Sequence, residues 1–139
     1  MTKFQSKRVL VNAPDSEVFG FLSDFRNFKS LMPQQIANWQ ADEQSCSFTV
    51  QGMADLSMRM VSKTPNSSIH IVADGKNPID YTLDCLIAPG SLQSCYTEII
   101  FDANLNPFLK TIASGPLQNL VNMLADKLSE VFAEGLKQK

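Results

Sequence analysis

The chain has 139 residues, 44% hydrophobic and 19% charged, which fits one folded domain over residues 1–139 and a globular rather than a disordered chain. A formal net charge of −2 lacks the basic face that a nucleic-acid partner needs. Cys46, Cys85 and Cys95 are an odd number without C-x-x-C spacing, and the only histidine is His70. They read as reduced, buried thiols, so no metal and no cofactor is expected.

The N-terminal stretch MTKFQSKRVLVN is charged and then only briefly apolar, and no membrane-spanning run follows. A cytoplasmic protein with no integral membrane segment is the expectation. Residues 3–12 end in β-branched residues and predict a first strand. In APDSEVFGFLSDF, Pro14 suits the first helical position, and Asp15 and Glu17 suit the positive end of the helix dipole. Val18, Phe21, Leu22 and Phe25 then share one helical face. A second short helix or turn, FRNFKSLM, stops before Pro33.

From about residue 35 to 104 the period becomes two. The alternation turns Cys46, Phe48 and Val50 inward, then Leu56, Met58 and Met60, then Ile69, Ile71 and Ala73. It does the same for Tyr81, Leu83, Cys85 and Ile87, and for Cys95, Thr97, Ile99 and Phe101. Ser57, Arg59, Lys63 and His70 fall on the outer face. Short turns separate the runs, which predicts an antiparallel meander with one wet face. Trp39 belongs to an early strand or the loop before it.

After Asn106 the helical period returns, and Leu117, Leu120, Val121, Leu124, Leu128 and Val131 form an apolar stripe. Asp126, Lys127, Glu130 and Glu134 lie off it. Gly115 and Pro116 interrupt the pattern, so either a short helix over 107–114 ends there or one helix kinks there. The class is α+β.

The opening VLVNAPDSEVFGFLSDFRNFKSLMP resembles that of the START-like, or SRPBCC, superfamily. The residues that carry the likeness are Ala13, Pro14, Val18, Phe19, Asp24, Phe28 and Pro33. The superfamily includes lipid-transfer, polyketide cyclase and coenzyme Q-binding proteins. The resemblance implies a helix-grip fold: a curved antiparallel sheet of about six to seven strands wrapped around a long C-terminal helix, with two short helices after the first strand. It implies an apolar cavity of several hundred cubic ångströms between sheet and helix, and a small apolar partner such as a lipid, quinone or aromatic polyketide. Candidate lining residues are Phe48, Met53, Met58, Met60, Leu83, Cys85, Ile99, Phe101, Leu120, Met123 and Leu124, which otherwise only fill the core. Tyr81, Thr97 and Cys95 are candidates for the few polar contacts. The Gly115–Pro116 break either follows the sheet or gates the cavity mouth.

No acid–base pair emerges from the inward faces, and His70 has no obvious acidic partner in the sequence. No phosphate-binding or nucleophile motif appears. Two alternatives to a ligand carrier stay open. A cyclase- or hydratase-type enzyme needs Tyr81 and Thr97 to converge. An interaction module needs an exposed patch, for which Phe108, Leu109 and Phe132 are candidates. A homodimer is possible and undecided.

Overall fold

The computed structural model describes residues 2–137 apart from 35, 52, 53, 76 and 78; of residues 54 and 134–137 it describes the backbone alone. Met53 and the side chain of Glu134 therefore lie outside the described residues. In chain order come β1 (Thr2–Gln5), β2 (Val9–Val11), α1 (Asp15–Leu22) and a 3-10 helix (Phe25–Leu31). There follow β3 (Ile36–Ala41), β4 (Ser45–Val50), β5 (Ala54–Thr64), β6 (Ser68–Ala73), β7 (Tyr81–Pro89), β8 (Cys95–Ala103) and α2 (Pro107–Lys137). The strands form one antiparallel sheet, ordered β1-β8-β7-β6-β5-β4-β3, with β2 also beside β8.

The inner face follows the alternation in the sequence. Cys46, Phe48, Val50, Leu56, Met58, Met60, Ile69, Ile71, Tyr81, Leu83, Cys85, Ile87, Cys95, Thr97, Ile99 and Phe101 are all buried. Helix α2 packs its stripe, Leu117, Leu120, Val121, Leu124 and Leu128, on the β1, β2 and β8 side of the sheet. Polar contacts fix that docking. The Gln118 amide donates to the Gln5 carbonyl at 3.0 Å, and the Ser129 hydroxyl donates to the Leu10 carbonyl at 2.8 Å. The free edge of β1 and β2 is thereby covered by a helix.

Three irregularities depart from plain alternation, each a one-residue insertion in a ladder; two correct the sequence reading and the third places Trp39, which the sequence left open. The first splits the strand expected over 3–12. Pairing passes from Gln5↔Ile100 to Val9↔Thr97, with one extra residue on the N-terminal side. Buried Ser6 closes the gap: its N–H donates to the Ile99 carbonyl at 2.8 Å, and its hydroxyl accepts the Ile99 N–H at 2.9 Å.

The second lies in β5, where pairing shifts between Met60↔Ile71 and Ser62↔His70. Beyond the shift Lys63 stands opposite Ile69, a fully buried residue, so Lys63 joins the inner face rather than the outer one. Its ammonium donates to the Ser23 carbonyl at 3.0 Å, at the C-terminal end of α1. A cation there complements the helix dipole.

The third lies in β3, an edge strand, between Ala37↔Thr49 and Gln40↔Ser47. Asn38 takes a left-handed backbone, φ 56°, which asparagine tolerates better than most residues. Ile36 pairs with inward Val50, so plain alternation would turn Trp39 outward. The inserted residue turns Trp39 onto the core instead.

Helix boundaries also move. Pro14 is the N-cap of α1, one position before the expected one. The Asn106 side chain caps α2 by accepting the Leu109 N–H at 2.8 Å, and Pro107 is its first residue. The helix then runs unbroken through Gly115 and Pro116, which removes the two-helix alternative. Pro116 has no N–H to offer the Ile112 carbonyl, so one rung of the helix ladder is missing there.

Candidate functional site

Four inward strand residues meet α2 around a pocket. Phe48 comes from β4, Met58 from β5, Leu83 from β7 and Phe101 from β8; Leu83 and Phe101 are cross-strand partners. Leu120 and Leu124, one helical turn apart on α2, form the opposite wall. Met32, just past the 3-10 helix, completes it. Six of these seven were expected from the sequence, and Met32 was not. Its signal was available only as an apolar residue ending the FRNFKSLM run.

The space these residues enclose is about 10 Å3, the lower limit for a single water. This corrects the expected cavity of several hundred cubic ångströms: among the described residues, sheet and helix close on one another at this point. Flexible methionines and leucines fill the room that a ligand would take. Larger depressions of about 390 and 380 Å3 lie on the surface, one beside Asp42 and Ser47, the other at the β7–β8 turn near Ser91. Both are open to solvent with polar groups in their walls, unlike the apolar pocket between sheet and helix.

The other expected site residues sit nearby or elsewhere. Met60, Cys85 and Ile99 are buried in the neighbouring rows of the same core. Met123 is 37% exposed on α2, because it lies off the stripe formed by Leu120 and Leu124. Tyr81 stacks on Phe101 with ring centroids 5.0 Å apart. Its hydroxyl donates to the Ser57 carbonyl at 2.7 Å and is thus committed to the protein backbone. Thr97 is buried, and its hydroxyl has no hydrogen-bond partner among the described residues. However, Thr97 pairs with Ile87, six residues along β7 from Tyr81, a separation of about 20 Å. The two hydroxyls do not converge on one small molecule, so the arrangement required of a cyclase-type site is not formed by this pair.

Electrostatics point the same way. Burial pushes the Cys85 thiol up to about 12 and the Cys95 thiol up to about 11, and it raises Cys46 and the Tyr81 hydroxyl as well. All four are neutral at pH 7 and poor nucleophiles. His70 does have an acidic partner, contrary to the sequence reading. Its Nδ1 lies 2.6 Å from Asp84 Oδ1, across the β6–β7 pair on the outer face, away from the pocket. The patch of Phe108, Leu109 and Phe132 does not form either. Phe108 is 72% exposed, whereas Leu109 and Phe132 pack on the core. Twenty-four residues of helix, about 36 Å, separate the two phenylalanines.

No family model and no curated protein matches the sequence. Solved structures do match the fold. A START superfamily protein from Mycobacterium smegmatis is similar at TM-score 0.70 and 17% identity, over 95% of this chain and 97% of that one. A protein from Thermus thermophilus is similar at TM-score 0.76 and 12% identity, over 96% and 99%. Norcoclaurine synthase from Thalictrum flavum, in complex with dopamine and hydroxybenzaldehyde, is similar at TM-score 0.67 and 14% identity, over 96% and 87%. The chain has the START-like, helix-grip fold. No helix among the described residues is long and apolar enough to cross a membrane.

Proposed function

We propose that this protein binds a small apolar molecule, of lipid, quinone or aromatic polyketide type, between the sheet and α2. The observation that carries the reading is the pocket wall itself. Six separate segments of the described fold contribute to it, every contributing side chain is apolar, and two are methionines. The solved neighbours support ligand binding at the coarse level, since one of them holds small aromatic molecules.

The closed pocket means that uptake requires movement. Met32 and Met58 have the rotamer freedom to swing aside. Helix α2 lacks one backbone bond at Pro116, one turn before Leu120, where a hinge moves the wall. The reading keeps the protein as a carrier without covalent chemistry, and the buried neutral thiols and the distance between Tyr81 and Thr97 support that.

Native mass spectrometry of freshly purified protein, followed by solvent extraction, tests the reading. A stoichiometric apolar adduct is the expected result. A bare polypeptide mass, together with no binding of cis-parinaric acid or a benzoquinone with a ten-carbon tail, overturns it.

A further inference from the structure

We infer that the outer face of the sheet carries a second, small binding site, shaped for a free α-amino acid with an apolar side chain, and that Arg8 and Glu98 hold the two charges of that ligand. The site is separate from the pocket between sheet and α2, and the inference stands without the apolar-binding reading. Four outward side chains on two neighbouring strands make a square: Leu86 opposite Glu98, and Ala88 opposite Tyr96. Arg8, the residue before β2, completes the wall. They line a depression of about 190 Å3, smaller than the pockets that hold drug-sized ligands and suited to one small molecule.

The floor departs from the pattern of a wet face. Thr82 and Asp84 precede it on the same side of β7, as solvent demands, whereas Leu86 and Ala88 are apolar and half-buried. An aliphatic side chain laid on them leaves water.

The charges carry the argument. Val9 pairs with Thr97, so one more rung of the β2–β8 ladder would set Arg8 opposite Glu98. Opposite charges so placed ordinarily attract across the strands. Here no ion pair among the described residues includes either of them. Arg8 lies instead over the Tyr96 ring, its guanidinium carbon 4.9 Å from the centroid. Stacking engages the face of the guanidinium and leaves its N–H edge, the fork that fits a carboxylate, unengaged. Glu98 Oε2 accepts the Gln5 side-chain amide, and Glu98 Oε1 has no partner among the described residues. The depression thus presents an open donor fork and an open acceptor of opposite charge beside an apolar floor.

That combination selects a zwitterion. A lone anion meets Arg8 but is repelled by Glu98, and a lone cation meets the reverse. A free amino acid satisfies both at once, with its carboxylate on Arg8, its ammonium on Glu98 and its side chain on Leu86 and Ala88.

The test titrates the 15N-labelled full chain, in mildly acidic buffer, with L-leucine, N-acetyl-L-leucine and L-leucinamide. It follows the backbone amides of Leu86, Ala88, Tyr96 and Glu98. Leucine is expected to move these cross-peaks saturably. Each derivative keeps one charge and is expected to bind about fivefold more weakly or worse, the worth of one charged contact. Glu98→Gln is expected to weaken leucine and not N-acetyl-leucine, and Arg8→Gln to weaken leucine and not leucinamide. Equal affinity for leucine and either derivative, or no saturable movement of these amides, overturns the inference. Unchanged leucine affinity in both variants overturns it as well. None of these results touches the reading of the pocket under α2. The three titrations of the unaltered protein decide the matter even where a variant fails to fold.

Discussion

The Tyr81 hydroxyl donates to the carbonyl of Ser57, two strands away, at 2.7 Å. The same carbonyl also accepts the Asp74 N–H at 3.0 Å. Tyr81 is thus a cross-sheet brace and not a free ligand contact. Tyr81→Phe keeps the stacking on Phe101 and leaves the Ser57 carbonyl one donor. A loss of about 0.5–1.5 kcal/mol in unfolding free energy is expected, measured by urea denaturation. Adduct occupancy in native mass spectra is expected to stay unchanged. Unchanged stability with a lost adduct would instead place this hydroxyl in contact with the ligand.

Gly115 makes a second test, because it is a helical glycine directly before Pro116. Beyond its chain neighbours and its own helix backbone, a methyl group built on it meets no atom within 4 Å, whereas the Pro116 ring crowds the Cβ of a helical residue that precedes it. Gly115→Ala is therefore expected to leave stability within about 1 kcal/mol of the parent, the gain in helix propensity being offset by the clash with the proline ring. Beside Pro116 the same change stiffens α2 where the ladder already lacks a bond. Slower uptake of cis-parinaric acid in stopped-flow fluorescence, with thermal stability close to the parent's, is the expected pair of results. Unchanged uptake would separate the hinge from ligand entry.

Most of the sheet was legible in the sequence because its signal is local. Alternation from Cys46 to Phe101 puts the buried side chains on one face, and the stripe from Leu117 to Leu128 gives the helix that covers it. Six of the seven pocket residues follow from those two periods. What the sequence hid is pairing between strands. A bulge changes the face of every later residue in its strand by one insertion, and nothing in the residues Ser6, Val61 or Asn38 announces it. Lys63 and Trp39 were misplaced or left open for that reason. The His70–Asp84 contact likewise depends on register, since fourteen residues separate the partners. Cavity volume is further still from the sequence, because the same apolar faces pack either closed or open.

Asn38 gives the sharpest test of the β3 kink. Its left-handed φ of 56° is a conformation that costs most L-residues about 1–2 kcal/mol and β-branched residues more. Glycine adopts it without that cost. Asn38→Val is therefore expected to destabilise the fold by about 2 kcal/mol or to drive β3 into the regular register. In the regular register Trp39 faces water, and its fluorescence shifts to the red. Asn38→Gly loses only the exposed contact with Thr49 and is expected to stay within about 1 kcal/mol of the parent, with Trp39 emission still blue. The comparison separates backbone strain from the lost side-chain bond. Equal damage from valine and glycine would assign the kink to the Asn38–Thr49–Asp55 chain of hydrogen bonds and not to the left-handed residue.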